Sequence, residues 1–219
     1  MDWKNERGER IYLKDKRTLR YDTPYASFPY LNPGIDRCGY IPINDYYHDS
    51  LFPYSELYNT KQETEEIAAA NGMTKVFIAT PNSSLDYRLG EPVLIYRRHT
   101  GEGQATYKSV VTSFCSIIKQ INIKSNNHQI ISLNEFKKIV GNKTVYNESE
   151  LENIYNKSNV VVLEMLYNGY LGKGKNITHR TLSENGLFEG YPYTNKLTKE
   201  EFIRVLEMGG KNVQNIIID

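Results

Sequence analysis

Five of the chain's eight prolines (Pro24, Pro29, Pro33, Pro42 and Pro53) fall between Tyr21 and Tyr58, together with eight of its 18 tyrosines. Proline fixes φ and has no N–H to donate. A stretch this rich in it cannot form a long helix and is poorly suited to the centre of a sheet. Tyrosine adds a flat apolar face with a polar tip, suited to half-wet contacts. The segment is therefore expected to be an extended, ordered wrap. It would plug its rings onto the downstream core or offer them to a partner chain.

The remainder can support a core. The chain has 219 residues, of which 39% are hydrophobic and 24% charged. That is an ordinary globular balance, with room for one large domain or two small ones. Net charge is +1, so no global field draws in nucleic acid and any such partner needs a local basic patch. The two cysteines, Cys38 and Cys115, have neither metal-ligand nor CxxC spacing. A disulfide framework is not expected, and a reducing cytoplasm is. The opening MDWKNERGER is too charged for a signal peptide, and the apolar runs are too short to span a bilayer. Residues 1–20 read as a solvated basic arm, with a nucleic-acid-binding arm as the alternative. Residues 1–58 thus form an arm and wrap, a remnant or a linker, ahead of a domain over 59–219.

Downstream of residue 60 the pattern becomes regular. Thr60 and Glu63 mark a helix start, with Gly72 as its stop and a helix over about 61–71. TKVFIA (74–79) reads as a buried strand. Residues 92–98 and 105–123 read as two further strands, the second long enough to bend or carry a bulge. Ser132 with Glu135, Ser149 with Glu152, and Thr198 with Glu201 mark three more helix starts, because each side chain can cap an otherwise unpaired N–H. NVVVLEMLY (159–167) reads as a strand, and 168–197 as a long loop that is functional or conceals short elements. Helices and strands do not alternate strictly. The expected class is α+β, a small curved mixed sheet or pseudo-barrel with flanking helices.

No GxSxG, P-loop, GxGxxG or HExxH motif occurs, and the four histidines have no ligand spacing. No cofactor or metal is expected. The His48-Asp49 pair reads as a surface feature, and Cys115 as a buried inert thiol. Two constellations remain. The first joins the apparent strands: Tyr96, Arg97, Arg98 and His99, a glycine-bearing loop, then Tyr107, Lys108, Ser109 and Thr112. Cations, rings and glycines at a strand junction suit gripping a phosphate and stacking a base. The second, LGKGKNITHR (171–180), holds Lys173, Lys175, His179 and Arg180 with no acid. A cationic loop of this kind can follow a sugar–phosphate backbone.

The run KVFIATP, RLGEPVLIYRR, GQATYKSVVTSFCSI, NVVVLEML and LTKEEFIRVLEMGG resembles a PUA-like domain of the ASCH/EVE type. The resemblance covers about residues 40–210. It is nearest to the PUA-like half that follows a GNAT-type N-acetyltransferase domain in some bacterial proteins, with YIPINDYYHDSLFP (40–53) like the joining segment. No acyl-CoA pyrophosphate motif precedes residue 60. The resemblance implies a pseudo-barrel that binds RNA or DNA, in some branches around a modified or flipped base. It places Tyr96 at the pocket mouth and Ser109 and Thr112 on the next strand. Gly90-Glu91 stands where the family carries Gly-Asp. The only tryptophan is Trp3, so any aromatic cage must be built from tyrosine or phenylalanine.

The expected function is therefore a non-catalytic nucleic-acid-binding module for RNA or single-stranded or modified DNA. Arg97, Arg98, Lys108, Lys173, Lys175 and Arg180 would meet phosphates, and Tyr96 and Tyr107 would stack on bases. Two alternatives stand beside it. One is a hydrolase of nucleosides or RNA using Lys108 with Ser109 or Thr112. The other is a docking subunit whose wrap at 21–58 meets a separate acetyltransferase or toxin chain.

Overall fold

The structure, a computed structural model, describes residues 19–53 and 72–217. The expected helix over 61–71 and most of the N-terminal arm lie outside the described residues. A single mixed sheet organises the rest. Its strands are β1 (Cys38–Asn44), β2 (Thr74–Ala79), β3 (Pro92–Arg98), β4 (Val110–Ser125), β5 (His128–Gln129), β6 (Val160–Tyr170), β7 (Ile177–Thr178) and β8 (Lys196–Leu197). The order across the sheet is β2-β6-β4-β3-β1-β8, with β5 and β7 also pairing β4. Among the strands of the described residues, β1 and β3 are the one parallel pair. The class is α+β, as expected, and the sheet is an open path rather than a closed barrel. Among the described residues no helix is long and apolar enough to cross a membrane.

One expectation is corrected here. The proline-rich wrap supplies β1, a strand inside the sheet between β3 and β8. Pro42 is tolerated because β8 pairs only Cys38 and Gly39. By position 42 the strand has one neighbour, β3, so a nitrogen on the open side costs no ladder bond. Residues from this segment, among them Leu31, Tyr40, Ile41, Ile43, Leu51 and Phe52, are buried in the chain's own core.

Strand periodicity divides that core. Tyr40, Leu94, Tyr96, Val111 and Phe114 point to one face, against Leu182, Phe188 and Phe202. Ile41, Ile43, Val93, Ile95, Cys115 and Ile117 point to the other, beneath Leu51 and Phe52. Burial on both faces explains why β3 opens as a continuous apolar run and why the first half of β4 carries apolar residues on both faces. A third cluster, Val76, Ile78, Val160 and Val162 with Phe136 and Leu151, fills the β2–β6 end.

Short helices cover these faces: α1 (Pro24–Ser27), α2 (Asp45–Leu51), α3 (Ala105–Lys108), α4 (Leu133–Val140), α5 (Glu148–Tyr155), α6 (His179–Glu184) and α7 (Lys199–Met208). Ser132 caps α4, and Thr198 with Glu201 forms a reciprocal capping box on α7, as the sequence predicts. α5 starts earlier than expected. Asn147 and Glu150 form its box, ahead of Ser149. Residues 105–108 are a helical turn rather than the beginning of the long strand. The expected loop over 168–197 contains the end of β6, β7, α6 and β8.

Candidate nucleic-acid interface

The β3–β4 connection is braced from below by α2. Asp45 accepts from the Thr100 N–H (3.2 Å) and contacts His99 Nδ1 (3.0 Å). Burial would raise the Asp45 carboxyl, but bonds from the Thr100 hydroxyl and N–H outweigh it and hold the group below the usual carboxylate range. Lys108 Nζ donates to the Glu102 carbonyl at 2.6 Å, closing the loop over Gly103. That glycine has φ +102°, and a Cβ on it would lie 2.8 Å from Lys108 Nζ. The left-handed dihedral is what favours glycine there, since the flexible end of the exposed Lys108 side chain could move aside for a Cβ.

Thr112 is a bulge residue. Ile95 pairs with Ser113 and Tyr96 with Val111, so β4 advances two residues while β3 advances one. The bulge turns the Thr112 hydroxyl toward His48 Nε2, 2.8 Å away. His48 Nδ1 meets Asp49 Oδ1 at 2.8 Å, and Asp49 takes two bonds from Arg97, each 2.8 Å. His48 is fully buried, not a surface residue as expected. Burial keeps its imidazole below the ordinary histidine range, with Asp49 pulling the other way. Asp49 is lowered to about 2, the bonds from Arg97 and His48 overcoming the effect of burial.

The two sequence constellations meet in space. β7 pairs with the start of β4, Val110 opposite Thr178 and Val111 opposite Ile177. The His179 N–H donates to the Ser109 carbonyl at 2.8 Å. α6 then sets Arg180 against α3. Its guanidinium carbon is 5.3 Å from the Tyr107 ring centroid, and it donates to the Tyr107 hydroxyl. Tyr107 is 49% exposed. Arg180 also pairs with Glu184 at 2.6 Å, an exposed contact of the kind worth about 0–1 kcal/mol, which a phosphate can displace.

The ten expected contact residues therefore fall into two groups. Arg98, Tyr107, Lys108, Lys173, Lys175 and Arg180 are exposed. Tyr96, Ser109 and Thr112 are buried, and Arg97 is committed to Asp49. The second group supports the surface from behind. The Tyr96 hydroxyl lies 3.1 Å from His179 Nδ1, with Phe188 packed against both rings at 5.0 and 4.8 Å. Ser109 Oγ accepts the His99 N–H at 3.0 Å. Lys108 bonds the Glu102 carbonyl, while the hydroxyls of Ser109 and Thr112 are held by His99 and His48. Among the described residues no hydrogen bond joins Lys108 to the Ser109 or Thr112 hydroxyl, the grouping named for the alternative hydrolase. Sequence reading missed Asp45, Asp49 and His48 as supports. The sequence offered the adjacent His48-Asp49 pair, which was read as a surface feature, and nothing that singled out Asp45.

No family model matches the chain, and no curated protein matches it. Two solved structures of an ASCH protein from Zymomonas mobilis are similar. One, a serine-to-alanine mutant, is 11% identical, with 77% of this chain and 94% of that chain covered and a TM-score of 0.44. The other is 11% identical, with 77% and 92% covered and a TM-score of 0.45. At that identity nothing about activity transfers, and the site stands on this chain's own residues.

Proposed function

We propose that the chain is a nucleic-acid-binding module for RNA or single-stranded DNA, modified bases included. The surface is the one that the β3–β4 connection and the 171–180 loop build together. The observation that carries the reading is the Tyr107–Arg180 pair: a half-exposed ring with a guanidinium against it, supplied by two segments remote in sequence. A base stacks on such a ring without regard to its identity, and the cation meets the adjoining phosphate. Arg98 and Lys108, held by Asn44 and the Glu102 carbonyl rather than by carboxylates, keep their charge available on the same rim. The resemblance to PUA-like domains, whose wider superfamily commonly binds RNA or DNA, points the same way.

The test is fluorescence anisotropy with labelled single-stranded RNA and DNA at low salt, comparing the parent with Tyr107→Ala. Stacking is worth about 1–3 kcal/mol per base, so the variant weakens binding about 5- to 150-fold. Unchanged affinity in a folded Tyr107→Ala protein would refute the assignment.

A further inference from the structure

β6 and β7 are two parts of one pairing along β4. Tyr170 lies opposite Ser113, the Leu171 N–H donates to the Thr112 carbonyl, and Ile177 lies opposite Val111. Between them Gly172–Asn176 leave the sheet and return, and Gly172 and Gly174 both adopt positive φ within this excursion. It throws Lys173 and Lys175 out to solvent. On one flank stands the Arg180–Tyr107 pair. On the other is a second cation–ring pair: Lys211 Nζ lies 5.2 Å from the Tyr170 ring centroid. Gly209 sets that geometry, since a Cβ there would lie 2.7 Å from Leu171, so the end of α7 packs directly on the strand exit. Lys175 lies against Gly210, beside Lys211. Among the described residues, Lys173, Lys175 and Lys211 form no ion pair, whereas Arg37, Arg97 and Lys196 each hold a carboxylate.

We infer that Tyr170, Lys175 and Lys211 form a second nucleotide subsite, so that the ligand of this surface is a single strand several nucleotides long rather than a lone nucleotide. This rests on the nucleic-acid reading above. The two subsites are close enough to share one strand. Their anchor points on β4, Ser113 and Val110, are three residues apart, about 10 Å along a strand. Along the chain, the exposed Lys173 and Lys175 lie between Tyr170 and Arg180. A cation just beyond the end of α7 also suits the helix dipole. Dipole stabilisation alone would affect the melting temperature and leave binding unchanged.

The experiment measures the binding of the full chain to labelled single strands of about four and about sixteen nucleotides, lengths that bracket single-strand site sizes. The parent, Tyr107→Ala, Lys175→Gln/Lys211→Gln and Tyr170→Ala are compared. The glutamine pair is expected to weaken the long strand about tenfold or more and to flatten its salt dependence, leaving the short strand nearly unchanged. Tyr170→Ala follows the same pattern. Parent-like binding of the long strand by the glutamine pair, while Tyr107→Ala weakens it, overturns the second subsite and leaves the first. Failure of the parent to bind either length removes both, and capture of an acidic peptide in place of either strand does the same.

Discussion

Replacing Asp49 with alanine tests the support beneath the interface. Its carboxylate takes two 2.8 Å bonds from Arg97 and contacts His48 at 2.8 Å. Side-chain exposures are 26% for Asp49, 18% for Arg97 and 0% for His48. Breaking a fully buried pair costs about 3–5 kcal/mol because the remaining charge is stranded, while exposed pairs are worth about 0–1. With a quarter of Asp49 in water, about 2–3 kcal/mol is expected. In a protein of this size that lowers Tm by roughly 5–10 °C. Asp49→Asn keeps one acceptor and should lose about half as much. The pH dependence has a definite sign. The folded-state pKa of His48 is depressed, so its contribution is complete above the ordinary histidine value of 6.5 and fades as pH falls below it. The Asp49 contribution persists until pH drops below 3.8 toward about 2. Thermal melting followed by circular dichroism at about pH 7.5 and about pH 5 measures both. An alanine variant melting within a degree or two of the parent would refute the argument, as would a parent whose Tm rises on acidification.

Glu91 makes a comparable junction at the far side of β1. It accepts from Arg37 (3.0 Å), Lys196 (2.8 Å) and the Arg88 N–H (3.0 Å), and is buried. Glu91→Ala should cost about 3–5 kcal/mol in denaturant unfolding, and Glu91→Gln less. Cys38 and Cys115 are both fully buried, and burial pushes both thiols far above their ordinary range. An aromatic disulfide reagent should leave both unmodified in the folded protein and label both in denaturant.

The features legible in the sequence were the local ones. TKVFIA and PVLIYRR became strands at the expected residues because burial on both faces leaves an unbroken apolar run. Ser132 and Thr198 marked helix starts because a cap needs only its own first turn. At α5 the sequence offers two overlapping boxes, Asn147 with Glu150 and Ser149 with Glu152, and local chemistry does not choose between them. The earlier start prevailed, with Leu151 and Tyr155 buried. β1 was hidden because its pairing with β3 is parallel and non-local, and Pro42 argues against a strand unless the short reach of β8 is known. His48 was misplaced for a similar reason: the bulge that aims Thr112 at it arises from β3–β4 register, not from the residues near position 48. The 171–180 loop was recognisable as cationic. Its meeting with Tyr107 depends on β7 pairing, which two residues cannot advertise.

Salt dependence of single-strand binding separates a phosphate-gripping surface from one that holds no nucleic acid. Each phosphate contact to a single strand contributes about 0.7 to the slope of log K against log salt. With Arg98, Lys108, Lys173, Lys175, Arg180 and Lys211 on one surface, four to six contacts predict a slope of about −3 to −4. Steep weakening of that order, reduced by about 0.7 for each cation removed, is the expected result. A slope near zero, or no binding of RNA or single-stranded DNA at low salt, would contradict the account.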